Sequence, residues 1–479
     1  MIKFGTGGIR GLMKEGEFDE KLVEQASRAV ASWMVEEGLK TIVIAYDTRM
    51  NSDLFAKISA SVISSFGIEV YLFPEPVPTP LLSFAVRKIE AGAGIVITAS
   101  HNPPDYNGFK VYTKDGVQAI PEYTEKIAKY MDNPVNLSKP VKVRTVPPQI
   151  VREYIEMVVK VVEPLIENDI TIVYSPLHGT GARFVPKVLE MLGFKVVCVE
   201  EQMNPDPHFS TVTTPNPEEE SAFAQSDKYQ SDSTFAIATD PDCDRVGLKV
   251  GSVKLSGNQI GVLLTDMLQQ DQPSGSHLIK TIVTTDMVYP MCEKKGQVVL
   301  ETPTGFKFIG SEIEKRSSRE NFKYFLAFEE SCGYLTGDFV RDKDGVLGSA
   351  LIAAMCSKVD PLERLKYLYD KYGYYIEKLI SINLTTPDQA RKIYEKIRDF
   401  PPNKIGSTRV SKVYDYSQDT QIPNETLLLE ANGAKIYIRP SGTEPKLKIY
   451  FKVVDENERQ ALRKIEELQK GMTRIEDFT

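Results

Sequence analysis

The chain has 479 residues, 42% of them apolar, so it is long enough to form several packed domains. Its formal net charge is −8, from 58 basic and 66 acidic residues. Without a basic stripe the chain is not expected to bind nucleic acid, and any anionic ligand must be held by local positive charge. The five cysteines occur singly and there are only four histidines, which disfavours a disulfide framework or a zinc cage.

Targeting signals are not evident. The amino-terminal MIKFGTGGIRG lacks the apolar core of a signal peptide, and no run of 18 apolar residues occurs. We therefore expect a cytoplasmic protein that neither spans nor binds a membrane. The sequence indicates no oligomeric state.

Helical stripes alternate with short β-branched runs, which predicts sheets covered by helices. FDEKLVEQASRAVASWMVEEG predicts an amphipathic helix that ends at Gly38. The strands predicted after it are TIVIAYDTR (41–49), IEVYLF (68–73) and GIVIT (94–98). The proline-rich segment at 133–149 indicates a first domain boundary.

The same alternation continues to about Tyr372. It includes the predicted strands ITIVYSP (170–176), KVVCVE and TFAIATD (234–240), a helix from about Phe184, and then QIGVLLTDML, SHLIKTIVTT, QVVLETP and FLAFEES. After Tyr375 the pattern changes to YIEKLISINL, LLLEANGAKIYIR, KLKIYFKVV and a closing helix, which indicates a smaller α+β domain. We therefore predict four domains, at 1–145, 146–252, 253–373 and 374–479.

The most specific chemical signal is TDPDCDR at 239–245, directly after a predicted strand. Asp240, Asp242 and Asp244 alternate, and such carboxylates converge on one hard cation when the backbone turns. Mg²⁺ or Mn²⁺ fits this set, whereas an EF-hand calcium loop is excluded because Arg245 stands where glycine is needed. A solvated acidic loop is the alternative, although Arg245 suggests an anion beside the metal.

A second signal is RPSGTEP at 439–445, between two predicted strands. Arg439 can bind a phosphate bidentately, and Ser441 and Thr443 offer hydroxyl groups. Gly442 lets backbone N–H groups approach the phosphate oxygens. The segment is typical of phosphate binding, and an ordinary Pro-Gly turn is the alternative.

Three further polar features are weaker. TASHNP places Ser100 after an apolar run, but without the Gly-x-Ser-x-Gly pattern of a hydrolase. FEES (328–331) could contact sugar hydroxyls, and Lys110 and Lys343 are candidate acid/base groups; surface polar residues are the alternative for each. A hydroxyl, a metal loop and a phosphate cradle, without a nucleotide-binding loop, indicate phosphoryl transfer through a phosphoserine rather than from ATP.

Five motifs in order resemble those of the α-D-phosphohexomutases, the phosphoglucomutase/phosphomannomutase superfamily. They are FGTGGIRG, TASHNPPDYNGFK, TDPDCDR, FEESCGY and RPSGTEPKLKIY. The resemblance extends over nearly the whole chain. It implies three α/β domains of related topology and a C-terminal α+β domain of the TATA-box-protein-like type, arranged around a central cleft.

The resemblance also implies residue roles. Ser100 would carry the phosphoryl group, and its oxygen would join Asp240, Asp242 and Asp244 around Mg²⁺. The residues that would surround the phosphoserine are Arg10, His101, Lys110 and Arg245. The sugar hydroxyls would be bound by Glu329 and Ser331, and the non-reacting phosphate by Arg439, Ser441, Gly442 and Thr443. Lys343, in RDKDG, would be a general acid/base, and Gly305, in GFKFIG, would lie at the substrate.

The implied reaction converts α-D-glucose 1-phosphate to glucose 6-phosphate and back through a bisphosphate that reorients in the site. A sugar 1,6-bisphosphate would restart enzyme that had lost its phosphoryl group. FEESCGY resembles the glucose and pentose branch, since the other branches read nearer GEMSGH or GEQSGH. Tyr334 replaces their histidine, so Lys343 or Lys110 must handle the proton, and Cys243 and Cys332 are expected to be apolar fillers.

Other readings stay open at this stage. The preferred substrate could be a mannose or pentose phosphate. A Mg²⁺-dependent phosphatase could use the same cradle, and so could a silent sugar-phosphate-binding protein, although binding alone needs neither Ser100 nor the three aspartates. In every case the expected partners are small sugar phosphates.

Overall fold

The computed structural model describes residues 8–132, 139–229, 234–441 and 446–473. The chain forms two compact units. The first contains Met1–Leu268 and Phe306–Pro361, and the second contains Gln269–Gly305 and Leu362–Thr479.

The first sheet has six strands: β1 (Ile9–Leu12), β2 (Thr41–Tyr46), β3 (Glu69–Leu72), β4 (Ala93–Ile97), β5 (Tyr106–Thr113) and β6 (Arg144–Thr145). Their order is β1-β5-β4-β2-β3-β6, with β1 and β5 antiparallel to their neighbours and the others parallel. The helices of this region are α1 (Glu20–Glu36), α2 (Ser52–Ser64), α3 (Thr79–Ile89) and α4 (Pro121–Ala128). Asp19 caps α1 by accepting a hydrogen bond from the Leu22 amide, and the buried face of α1 packs in the core of this sheet.

The second sheet repeats this pattern. Its elements are α5 (Pro148–Val162), β7 (Thr171–Ser175), α6 (Val185–Met191), β8 (Lys195–Cys198), α7 (Glu200–Met203), β9 (Phe235–Thr239), β10 (Val246–Val250) and β11 (Val253–Lys254). The order is β11-β10-β9-β7-β8, in which β8, β7 and β9 are parallel and β10 is antiparallel to β9. In both sheets, therefore, a parallel set ends in an antiparallel strand.

The next region contains α8 (Gly257–Leu268), β12 (His277–Thr281), α9 (Val288–Glu293), β13 (Val298–Thr302), α10 (Phe306–Ser317), β14 (Tyr324–Glu329), β15 (Gly333–Leu335), α11 (Gly345–Lys358) and α12 (Pro361–Tyr372). Within the second unit β12 and β13 are parallel. Within the first unit β14 and β15 form an antiparallel hairpin. A parallel pair and a hairpin are also the two parts of the preceding sheets, which agrees with the predicted related topology.

The last region is β-rich. It contains β16 (Tyr374–Asn383), α13 (Pro387–Asp399), β17 (Lys404–Ile405), β18 (Thr408–Asp415), β19 (Leu427–Ala431), β20 (Ala434–Pro440), β21 (Lys446–Asp455) and α14 (Glu458–Thr473). The antiparallel strands follow the order β16-β21-β20-β19-β18-β17. Residues of α13 and α14 share an apolar core with one face of the sheet. The predicted fold class, several α/β domains followed by a smaller α+β domain, is confirmed.

Among the described residues, no single helix is long and apolar enough to cross a membrane. The bent pair formed by α11 and α12 passes that test only when the two helices are taken together, on length and composition.

Candidate active site

Ser100 lies in the loop that follows β4. Its side chain is buried, and its backbone has φ +53°, in the left-handed region that residues other than glycine rarely adopt. The Ser100 amide donates a hydrogen bond of 2.8 Å to Oγ1 of Thr98. Such a conformation costs about 1–3 kcal/mol and persists only where the surrounding structure holds it. The loop must therefore be fixed by its neighbours.

Arg49 is the residue that holds this loop. Its buried guanidinium donates hydrogen bonds to four backbone carbonyls, those of Ser100, Asn102, Pro103 and Tyr106. Its Nε atom lies 3.3 Å from Oδ2 of the buried Asp47, which balances the charge. The sequence reasoning included Arg49 only as the end of a predicted strand. The available signal for Arg49 was a basic residue after a buried strand. That signal does not indicate its partners, because the carbonyls it binds lie more than 50 residues away in sequence.

The hydroxyl of Ser100 points to the aspartate loop. Ser100 Oγ donates a hydrogen bond of 2.7 Å to Oδ2 of Asp240, and it lies 3.2 Å from Nδ1 of His101. Arg10 contacts the same loop, since its Nη1 donates to Oδ1 of Asn102 at 2.9 Å. The structure thus brings the predicted nucleophile into direct contact with the predicted metal loop.

The three aspartates after β9 form one buried cluster. Ligand oxygens of Asp240, Asp242 and Asp244 lie within 4.8 Å of one another. Cys243 has φ +51°, which turns the backbone between the last two of them. Among the described residues, Oδ1 of Asp242 and Oδ1 of Asp244 have no hydrogen-bond partner. Buried, unpartnered carboxylate oxygens that face one another fit a hard divalent cation, so this set could hold Mg²⁺.

Burial and neighbouring charges shift the pKa of two of these aspartates in opposite directions. Burial, together with the other two carboxylates, raises the pKa of Asp240 well above its usual range. Burial also opposes ionisation of Asp242, but Lys110, a hydrogen bond with Asp240 and Lys343 together outweigh it and hold the pKa of Asp242 well below that range. Thr79, which the sequence reasoning missed, adds a hydrogen bond of 3.0 Å from its Oγ1 to Oδ2 of Asp242.

Two lysines approach the cluster from different elements. Nζ of Lys110, on β5, lies 3.0 Å from Oδ2 of Asp242 and 3.7 Å from Oδ2 of Asp244. Nζ of Lys343, in the loop before α11, lies 2.7 Å from Oδ2 of Asp244. Burial alone would lower the pKa of Lys343, but Asp244 and Asp342 raise it above its usual value, so Lys343 is a firmly held cation.

Glu329 ends β14 beside Lys343. A Cβ atom built on Gly333 would lie 2.6 Å from Cδ of Lys343 and 3.2 Å from Cγ of Glu329, so both side chains occupy the space that this glycine leaves open. Burial raises the pKa of Glu329 to about 7, while Lys343 and a hydrogen bond with Ser331 oppose that rise. Glu329 and Ser331 therefore lie next to a cation that itself contacts the aspartate cluster.

The remaining predicted residues of this unit have protein partners. Arg245 forms an ion pair with Glu218. The hydroxyl of Tyr334 donates to the Gly257 carbonyl at 3.0 Å, inside the core, so Tyr334 does not take the place of a catalytic histidine. Burial raises the pKa of Cys332 to about 12 and that of Cys243 well above its usual range. Both thiols stay protonated, which favours the packing role over a redox role.

The other predicted substrate residues belong to the second unit. Arg439 lies near the end of β20 and pairs in register with Lys448. The Ser441 amide donates to the Lys446 carbonyl at 2.9 Å. Arg439, Lys446 and Lys448 therefore concentrate positive charge at this end of the sheet, as an anion site requires. The predicted residues Gly442 and Thr443 lie outside the described residues, and Gly305, with φ +115°, ends the segment Gln269–Gly305.

A buried serine hydroxyl against an aspartate cluster, at the ends of two strands, is an arrangement suited to an enzyme that transfers phosphoryl groups. Family comparison agrees with this class. Models of phosphoglucomutase/phosphomannomutase alpha/beta/alpha domains I, II and III match residues 1–137, 152–252 and 256–372. The chain belongs to the phosphoglucomutase/phosphomannomutase family, whose members are phosphohexomutases, and it is an isomerase of the intramolecular phosphotransferase type.

Individual relatives agree. The chain is 34% identical to a phosphoglucomutase of Staphylococcus aureus strain bovine RF122 / ET3-1, over 94% of this chain and 89% of that protein. A phosphoglucomutase/phosphomannomutase family protein from Burkholderia thailandensis has a similar structure, with TM-score 0.79, 19% identity and coverage of 99% of this chain and 98% of that one. The open form of parafusin from Paramecium gives TM-score 0.77 at 19% identity, covering 100% and 95%. At this identity the two structures show the fold alone.

Proposed function

We propose that this protein is a phosphoglucomutase, which converts α-D-glucose 1-phosphate to glucose 6-phosphate and back through phospho-Ser100 and a glucose bisphosphate. The contact of 2.7 Å between Ser100 Oγ and Asp240 Oδ2 is the observation that carries the proposal. It joins the hydroxyl that would hold the phosphoryl group to a cluster able to hold a divalent cation. The name shared by the relatives supports glucose as the sugar.

The roles proposed for individual residues rest on the family resemblance and, for the described residues, on their positions. Arg49 and Thr98 fix the Ser100 loop, and His101 and Arg10 lie beside it. The proposed Mg²⁺ ligands are Ser100, Asp240, Asp242 and Asp244; when bound, the ion would supply positive charge to the phosphoryl oxygens. Glu329 and Ser331 would bind sugar hydroxyls. The residues proposed to bind the substrate's phosphate and sugar elsewhere are Arg245, Gly305, Arg439, Ser441, Gly442 and Thr443.

In the forward transfer the bond between phosphorus and Ser100 Oγ breaks, and a bond from phosphorus to the free sugar hydroxyl forms. One proton must pass from that hydroxyl to Ser100 Oγ. Lys110 and Lys343 are buried amino groups next to the aspartate cluster, so either can relay it. The return transfer runs in reverse with the other phosphate of the bisphosphate, after the sugar has turned.

We also propose the division into domains at 1–145, 146–252, 253–373 and 374–479. The first sheet falls within the first range, the second sheet apart from β11 (Val253–Lys254) falls within the second, and the antiparallel sheet falls within the last. A cytoplasmic location fits a reaction on soluble sugar phosphates, and we propose it on that ground.

The test is a coupled assay of glucose 6-phosphate formation from glucose 1-phosphate, with Mg²⁺ and a trace of glucose 1,6-bisphosphate. Mannose 1-phosphate and ribose 1-phosphate are run in parallel. We expect the highest rate with glucose and a requirement for the bisphosphate. Faster turnover of another sugar would keep the mechanism and reject the choice of substrate. Release of inorganic phosphate as the only product would identify a phosphatase instead.

The Ser100→Ala variant completes the test. It should abolish interconversion, because no other oxygen takes the place of Oγ, and it should leave binding of glucose 6-phosphate largely intact. Thr98→Ser, on the same loop, is the matched control, since serine keeps the hydroxyl that accepts from the Ser100 amide. Turnover retained in Ser100→Ala would reject Ser100 as the phosphoryl carrier.

A further inference from the structure

Strand β5 carries Lys110 and also contacts the loop that carries Lys343. Lys110 and Tyr112 are two positions apart on this strand, so their side chains lie on the same face of the sheet. Lys110 contacts the aspartate cluster directly. Tyr112 is fully buried and donates its hydroxyl to Oδ2 of Asp342 at 2.7 Å. A single strand thus contacts both the aspartate cluster and the loop that carries Lys343.

Asp342 stands between Tyr112 and Lys343. Its Oδ1 accepts the Lys343 amide at 2.8 Å and lies 3.7 Å from the Lys343 ammonium, while its Oδ2 accepts the Tyr112 hydroxyl. The ammonium of Lys343 lies closer to Asp244, at 2.7 Å. Asp342 is therefore a buried carboxylate that competes with Asp244 for the same cation.

We propose that Tyr112 is a positioning residue for Lys343: by hydrogen bonding to Asp342, it leaves the Lys343 ammonium at Asp244, next to Glu329. The inference rests on the proposed function, in which Lys343 is one of the two proton relays. Without the hydroxyl, the buried Oδ2 of Asp342 loses that partner, and a buried carboxylate oxygen left unpaired is unfavourable. Lys343 is the cation near enough to restore that contact, and doing so would draw it away from Asp244.

The chain provides a matched control in Tyr154. This tyrosine is equally buried and donates its hydroxyl to the two oxygens of Asp344, at 2.9 and 3.0 Å. When that hydroxyl is removed, Oδ1 of Asp344 keeps the amides of Val346 and Leu347, and Oδ2 loses the hydroxyl, as Oδ2 of Asp342 does in Tyr112→Phe. Tyr154→Phe and Tyr112→Phe therefore both delete one buried tyrosine–aspartate hydrogen bond, and only Tyr112→Phe affects the neighbour of the Lys343 ammonium.

The experiment measures kcat and KM for glucose 1-phosphate in both variants, and repeats Tyr112→Phe in a Lys343→Met background. We expect Tyr112→Phe to lower kcat at least about tenfold with KM changed less than about threefold, because a shift of about 1 Å in an acid/base group has effects of that size. Tyr154→Phe should stay within about threefold of wild-type kcat. In the Lys343→Met background, Tyr112→Phe should change the residual kcat by less than about twofold, since the Lys343 ammonium that it would displace is absent.

Equal kcat in the two phenylalanine variants would overturn the inference, and so would the same fold-loss with and without Lys343. A crystal structure of Tyr112→Phe gives a readout that does not depend on turnover. Lys343 Nζ within hydrogen-bond distance of Asp342 supports the inference, and an unchanged position at Asp244 rejects it. If the wild-type protein does not interconvert sugar phosphates at all, the proposed function fails. The crystal structure of Tyr112→Phe still shows whether the Tyr112 hydroxyl determines the position of the Lys343 ammonium.

Discussion

Replacing Arg49 by lysine tests how the Ser100 loop is held. The guanidinium makes four hydrogen bonds to loop carbonyls and one ion pair with Asp47. An ammonium keeps the charge, but it has no planar fork of donors and can satisfy about two of those carbonyls. Two carbonyls are then left without partners, at about 1–3 kcal/mol each where they are buried. We expect the free energy of unfolding to fall by up to about 2–6 kcal/mol.

The substitution should also lower the rate of catalysis. Ser100 has a positive φ, and its own carbonyl is one of the four that Arg49 binds. A nucleophile displaced by about 1 Å loses about a hundredfold in rate. We therefore expect Arg49→Lys to lower kcat for glucose 1-phosphate by about that factor. It should also slow the phosphorylation of Ser100 by glucose 1,6-bisphosphate, which intact-protein mass spectrometry follows.

Arg183→Lys is the matched control, because Arg183 forms an ion pair with Glu75 in which both side chains are 58% exposed. Urea unfolding of that variant should differ from wild type by less than about 0.5 kcal/mol, and its kcat should be unchanged. If Arg49→Lys lowers stability as expected but keeps wild-type kcat and phosphorylation rate, Arg49 stabilises the fold without organising the nucleophile, and the reasoning is refuted.

Three further predictions concern pH, metal and packing. Burial raises the pKa of Asp344 from 3.8 to about 7, so its contribution to stability is fully present only below the lower value and is lost progressively until the pH passes the higher one; between pH 6 and 8, the last part of that window, urea unfolding should show wild type losing about 1.4 kcal/mol more than Asp344→Asn, and equal losses would contradict this. Mg²⁺ at millimolar concentration should raise the Tm of wild type and have little effect on Asp242→Asn, since that change removes a charged ligand; equal shifts in thermal melts would place the metal elsewhere. A Cβ on Gly261 would lie 2.1 Å from Cε2 of Phe328, so Gly261→Ala should lower the free energy of unfolding by about 1–3 kcal/mol, and an unchanged urea midpoint would show that the ring moves aside freely.

The sequence could predict those parts of the site that are local. The three aspartates alternate within one loop, TASHNP follows a buried strand, and FEES ends one, so each motif indicates its chemistry without reference to the rest of the fold. The amphipathic helix α1 was predicted for the same reason, since its apolar stripe repeats at the helical period. By contrast, α11 is buried along its whole length and shows no such stripe, so periodicity could not mark it as a helix.

The supporting contacts could not be predicted, because they join residues that are far apart in sequence. Arg49 acts on backbone carbonyls, and any residue type can supply a carbonyl, so no motif marks its partners. Tyr112 and Asp342 are separated by 230 positions, and each alone reads as an ordinary strand or loop residue. The raised pKa of Glu329 comes mainly from burial, which depends on packing that only the folded chain provides.

The charge balance of the site links these supporting contacts to its chemistry. Counted with all three aspartates ionised, as metal binding requires, the cluster together with Lys110 and Lys343 carries one negative charge in excess, which attracts a divalent cation and disfavours a phosphate. With a divalent cation present the excess becomes one positive charge, and a sugar phosphate is then attracted. This reversal depends on both ammonium groups staying at the cluster.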